Sequence, residues 1–190
     1  MNLLFWQPQK NYYQIIASSV FGKFLLISSN YITWIFLIYP SYLLVKFDSN
    51  IFWQLLFATV LGEIIEKVVK LKKYWKRPTF AKSIDVPYGL IKSWYLTGSF
   101  PSGHTIKATF FLLLLLHYQL FFLAFILVIV PLLYFRVLIG FHYPIDIIGG
   151  IVIGAVIYFL VTYIQMPPVI NQYIQNIFSV IFYYPIKLGI

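Results

Sequence analysis

The chain has 190 residues, 61% hydrophobic and 21% aromatic, with 10% charged, where a soluble domain carries about a quarter charged residues. Residues 108–135 carry no Asp, Glu, Lys or Arg and form a run too long for the buried helix of a soluble protein, so a soluble class is excluded. The net charge is +9 and there are no cysteines, which excludes disulfides, thiolate metal sites and a cysteine nucleophile.

The expected fold class is all-α: a polytopic membrane helical bundle with five or six transmembrane helices. It forms one domain over 1–190, with its motif-bearing core at about 50–165. The N-terminal MNLLFWQPQK lacks a charged region followed by an apolar stretch and a cleavage site, so no cleaved signal peptide is expected. Residues 11–28 are apolar on one side and carry Gln14, Ser18, Ser19 and Lys23, which suits either an interfacial helix or a weak span. Clearer spans follow at about 30–46, 50–70, 104–118, 119–140 and 145–165, each near the ~20 residues that a crossing helix needs. FDSN (47–50) and HYQ (117–119) read as turns, and MPP (166–168) as the end of the last span. The tail, 169–190, is aromatic and apolar and either lies on the membrane or inserts.

One long polar connection interrupts this pattern, at about 71–103, and long connections in compact bundles are usually functional. Eight of the fourteen Lys and Arg fall between residues 70 and 107, with Asp85 the one acid in that window. A basic patch beside membrane spans implies an anionic partner, phosphate or lipid headgroup. The patch is too short, and too tightly held between spans, to suit nucleic acid. The 50–70 span ends at this connection and the 104–118 span begins there. Two crossings later the 119–140 span returns the chain to the same side, so residues 136–146 face the basic loop across one membrane surface.

Three segments therefore meet: Lys70 with Arg77-Pro78, PSGH at 101–104, and Arg136 with His142 and Asp146. Ionisable residues in an apolar bundle are costly and mark a functional site by default. Lys70, Arg77 and Arg136 supply cations for phosphate oxygens. The PSGH turn opens a helix whose free N–H groups attract an anion; Gly103 admits close backbone approach and Ser102 adds a hydroxyl. A helix starting near Pro144 sets His142 and Asp146 on one face. The aspartate would fix the tautomer of the imidazole and raise its basicity, making His142 a nucleophile and leaving His104 as general acid.

This set resembles the type 2 phosphatidic acid phosphatase (PAP2) superfamily, whose signature is K-x6-RP, then PSGH, then SR-x5-H-x3-D. All three motifs are present in order over 70–146, with Phe135 in place of the third motif's serine and RPTF in place of a repeated RP. The resemblance implies a phosphatase without metal or other cofactor. It would act through a phosphohistidine on His142 and bind phosphate at Lys70, Arg77, Ser102, Gly103 and Arg136. The implied substrate is a membrane lipid phosphate or diphosphate, with undecaprenyl diphosphate and phosphatidylglycerophosphate foremost. A lipid A phosphatase and a phosphotransferase to a lipid acceptor are the alternatives. Similarity to bacterial members implies the inner (cytoplasmic) membrane with the site on the extracytoplasmic face, although the basic loop alone would favour the cytoplasm.

Other features have plainer readings. Glu63, Glu66, Lys67 and Lys70 share a helix face, suggesting Glu63–Lys67 and Glu66–Lys70 pairs, with Glu66 orienting Lys70 toward phosphate as the sharper alternative. His117 reads as structural, Gly150 and Gly154 as a close helix contact, and the aromatics at 74–75 and 94–95 as an interfacial belt.

Overall fold

The computed structural model describes residues 3–8, 10–79 and 97–181, and every regular element among them is helical. A 3-10 turn, Leu3–Phe5, precedes α1 (Tyr12–Ala17), α2 (Val20–Phe47), α3 (Asn50–Leu71), α4 (Gly103–His117), α5 (Phe122–Leu138), α6 (Pro144–Thr162) and α7 (Pro168–Ile181). The basic connection's 80–96, its aromatics at 94–95 and the tail beyond 181 lie outside the described residues.

The first long helix departs from the expected segmentation. Residues 11–28 are not one unit: the chain breaks at Ser18–Ser19, and 20–47 run as a single helix of 28 residues. Ser19 is extended and accepts the Gly22 N–H at 2.9 Å, which starts α2 there. The polar trio Ser28, Ser29 and Asn30 does not end the helix. Their side chains donate back to the carbonyls of Leu25 and Leu26, so their polarity is satisfied inside the helix.

The other boundaries follow local chemistry. Asp48 accepts the Asn50 N–H at 2.8 Å in the turn between α2 and α3. The α4–α5 turn places Gln119 and Phe121 at positive φ, 54° and 44°. Helix α5 ends in a Schellman arrangement, with Phe141 N donating to Arg136 O at 2.9 Å and Gly140 at φ 76°. Helix α6 stops at Thr162, before MPP, and Pro168 opens α7 instead, because proline lacks an N–H that a first turn leaves unused. Helix α7 has one buried residue, Ile174. It lies along the bundle by stacking Phe178 on Tyr42 and by a Gln175–Ser49 hydrogen bond.

Helices α2 to α6 alternate in direction, which brings the start of α4, the end of α5 and the start of α6 to the end of α3. The main core joins Leu44, Ile51, Ile106, Leu114, Leu115, Phe125, Ile157 and Val161. The opposite end is stitched by amides: Asn50 donates to Ile164 O and accepts from Met166 N, while Gln54 donates to Thr162 O. His117 meets the Tyr158 hydroxyl at 3.3 Å, far from Lys70 along the bundle.

Helices α2 and α6 are long and apolar enough to cross a membrane; α4 and α5 are apolar but, at 15 and 17 residues, shorter. Large apolar side chains cover much of the outer surface, among them Ile35, Ile38, Leu127, Val156, Phe159 and Leu160.

The α4–α6 contact rests on glycine. A Cβ at Gly154 would lie 2.5 Å from Ile106 O, and one at Gly150 would lie 2.8 Å from Ser102 O. Backbone cannot yield as a flexible side chain does, so Gly154→Ala is expected to destabilise the protein by about 1–3 kcal/mol. Gly62, whose Cβ would meet only side-chain atoms at 3.4 and 3.8 Å, serves as control. Thermal unfolding in detergent should show a lowered midpoint for Gly154→Ala and none for Gly62→Ala.

Candidate active site

The three motifs meet at one end of the bundle, and Asp146 joins them. Its carboxylate is fully buried. Asp146 Oδ2 accepts the Tyr143 N–H at 2.8 Å, closing the first turn of α6. Asp146 Oδ1 accepts Trp75 Nε1–H at 2.9 Å, tying in the loop after Lys70. Its main-chain carbonyl accepts the Ser102 N–H at 3.1 Å, which docks the PSGH turn.

His142 Nδ1 lies 3.4 Å from Asp146 Oδ2, at ion-pair distance but without hydrogen-bond alignment. The four-residue spacing brings the pair together as expected, by a different route. His142 lies before the helix, in the turn that α6 caps, so the two residues meet across the helix entrance and not along one face. The histidine is 2% exposed. Burial, followed by the charges of Arg77, Arg136 and Lys70, pushes its pKa well below 6.5, outweighing a backbone hydrogen bond at Ser99. The imidazole is therefore neutral near pH 7.

The cations are held just as firmly. Arg77, 3% exposed, donates from a terminal nitrogen to Phe141 O at 2.9 Å. Burial lowers its pKa to about 10 against the opposing pull of Asp146 and Glu66, so it stays charged. Thr79 fastens the same strand of chain by donating to the carbonyls of Ile139 and Gly140. Arg136, 2% exposed, donates to Asn30 Oδ1 at 3.0 Å, while its Nε has no partner among the described residues. Lys70 pairs with Glu66.

Ser102 is the fully buried N-cap residue of α4, and its hydroxyl accepts from Thr105 Oγ1 at 2.9 Å, leaving its own proton to donate. His104 Nε2 is 3.2 Å from Asn30 O, and its ring lies 6.4 Å from that of Trp34. All eight residues singled out from the sequence thus gather at this end of the bundle. Among the described residues, no three His, Cys, Asp or Glu side chains form a group able to hold a metal ion.

Several neighbours escaped sequence reasoning. Asn30 serves His104 through its carbonyl and Arg136 through its side chain, yet it sits 40 residues before the first motif with no local signal. Trp75, expected in an interfacial belt, also donates to Asp146. Of the two expected carboxylate–lysine pairs, Glu66–Lys70 forms, but Glu63 reaches across to Lys107 on α4 in place of Lys67. Lys107 also lies over the Trp34 ring at 4.7 Å. Phe5 of the N-terminal turn packs edge-on against Trp75 and Tyr143, which puts the start of the chain at the site's own end.

A family model described as the PAP2 superfamily matches residues 51–168. The chain belongs to the PAP2 superfamily. Membership indicates phosphatase-type activity on phosphate esters. The match begins inside α3 and runs to the first residue of α7, so it covers all three motifs and leaves out the residues through Asn50, including Asn30 and Trp34 on α2. No curated protein and no solved structure matches the chain.

The Trp75 bond generates a test. A hydrogen bond to a buried charged group contributes about 1.5–3 kcal/mol. Trp75→Phe is accordingly expected to lower kcat by about ten-fold with KM nearly unchanged, because it loosens Asp146 and leaves the cations in place. Steady-state kinetics of phosphate release would check the split.

Proposed function

We propose that the protein is an integral membrane phosphatase that hydrolyses a lipid phosphate or diphosphate through a phosphohistidine. The observation that supports this most directly is the setting of His142: a neutral, buried imidazole backed by a carboxylate 3.4 Å away and surrounded by Arg77, Arg136 and Lys70. Binding an anion needs only the cations. A neutral histidine oriented by an aspartate adds a nucleophile.

In this mechanism the phosphoryl oxygens lie among Lys70, Arg77, Arg136 and the first turn of α4, with the Ser102 hydroxyl donating. The Nε of Arg136, without a partner among the described residues, supplies a further donor. With Nδ1 turned to Asp146, His142 Nε2 attacks phosphorus. The P–O bond to the leaving group breaks as the N–P bond forms, and His104 gives its proton to the departing oxygen. His104 then takes a proton from water, the water oxygen attacks phosphorus, the N–P bond breaks, and inorganic phosphate leaves. Since such transition states require mainly positioning and charge stabilisation, a rigid cationic pocket suffices.

The lipid character of the substrate is supported by an apolar groove of about 850 Å³ along α2 and α3, lined by Trp34, Ile38, Leu55, Leu56 and Phe111 among others. Its lining residue Trp34 packs near the ring of His104. A chain lying there would bring its phosphate end to the site. With α2 to α6 crossing the bilayer there are five spans, and α7 lies against the bundle. The exposed apolar flanks would face lipid. The substrates favoured are undecaprenyl diphosphate and phosphatidylglycerophosphate, in a bacterial inner membrane with the site outside.

Purified protein in detergent with EDTA, offered both lipids together with phosphatidic acid and lipid A, should release phosphate, and His142→Ala should abolish release. Near-normal turnover by His142→Ala would overturn the histidine mechanism. A phosphorylated lipid acceptor in place of free phosphate would mark a transferase. The depressed pKa of His142 also fixes a sign: the neutral form persists as pH falls below 6.5. The pH profile of kcat/KM should therefore show no loss assignable to His142 between pH 7 and 6.5.

A further inference from the structure

Glu66 stands inside the cation cluster and takes no part in the mechanism above. It lies on α3 one turn before Lys70, and its carboxylate pairs with the Lys70 ammonium. The same carboxylate presses on the first residue of α4. A Cβ built on Gly103 would fall 1.7 Å from Glu66 Oε2 and 2.4 Å from Oε1. Glu66 also acts electrostatically on Arg77 and Arg136. The pair is largely enclosed, with the Lys70 and Glu66 side chains 12% and 18% exposed. One carboxylate thus lies beside a helix N-terminus and a lysine, the two features that attract a phosphoryl oxygen.

We propose that Glu66 is a built-in competitor for phosphate, which binds by displacing this carboxylate from Lys70 and the first turn of α4. The inference rests on the phosphatase reading. Its consequence is product release. Displacement weakens binding of every phosphate by the same factor, and a lipid substrate retains affinity through its apolar chain where free phosphate has only its charge. Glu66 would therefore keep the site from being held by inorganic phosphate and promote release of the product. It also accounts for glycine at 103, since a side chain there would strike the carboxylate.

The simpler role, that Glu66 holds Lys70 in position for phosphate, predicts the opposite sign. Glu66→Gln keeps the shape and removes the charge. If Glu66 competes, this variant should bind inorganic phosphate about ten-fold more tightly than the wild type, because one negative charge a few ångströms from a polyanion is gone. Calorimetric titration of the detergent-purified protein with inorganic phosphate reads this directly, and product inhibition should strengthen in parallel. Unchanged or weaker binding would overturn the proposal.

If the variant does not fold, the wild type answers by infrared difference spectroscopy. Adding phosphate should shift a carboxylate stretching band as Glu66 leaves Lys70, and no shift overturns the proposal. Phosphate binding requires no turnover, so the two readings fail separately. Tighter binding by Glu66→Gln without His142-dependent hydrolysis would defeat the phosphatase and support the competitor. Hydrolysis with unchanged binding would do the reverse.

Discussion

A buried carboxylate must have its hydrogen bonds supplied by the protein, and at Asp146 that requirement organises the whole end of the bundle. Its side chain takes the Tyr143 N–H and the Trp75 indole, while its carbonyl takes the Ser102 N–H. The entrance to α6, the loop after α3 and the entrance to α4 are thus fixed relative to one atom group. The Schellman turn at Gly140 completes the frame by delivering Phe141 O to Arg77 and His142 to the carboxylate. Position precedes charge here: the cations can be concentrated because the backbone turns that carry them are already tied.

Concentrating them is costly, since like charges in a low-dielectric bundle repel and each loses hydration. The structure spreads the compensation over several elements. Carbonyl oxygens of Phe141 and Ser29 and the amide oxygen of Asn30 face the guanidinium groups, and Glu66 faces Lys70. Helix α2 contributes most of what lies outside the matched motifs, through Asn30 and Trp34. Its unbroken run from 20 to 47 is what carries both residues to the site.

How much of this was legible beforehand differs by element. The motif residues could be placed because each spacing maps onto a helix end, and turn direction then follows from counting crossings. Pro144 marked the start of α6 for the same reason. The long first helix was not legible, because Ser28, Ser29 and Asn30 look like a break until their side chains are seen to bond back to Leu25 and Leu26. Glu63 was assigned to its helical neighbour Lys67, since periodicity describes partners on one helix and is blind to Lys107 on another. Trp75 shows the same limit: composition assigns a loop tryptophan beside apolar helices to an interface, and only tertiary contact reveals its bond to Asp146.

The two ends of the bundle are held by different chemistry. At the far end Asn50 and Gln54 clasp the end of α6 and the residues just after it with neutral amides, which acid does not weaken directly. At the site end the fastening surrounds the buried, neutral His142, whose imidazolium the folded site disfavours, so protonating it costs folded-state stability. Acid would therefore loosen this molecule directionally. Amide protons near residues 70–79 and 140–146 would begin to exchange with solvent while those around 50–54 and 162–166 stayed protected. The protein would open like a book held at the spine, with the page that bears the three motifs the first to turn.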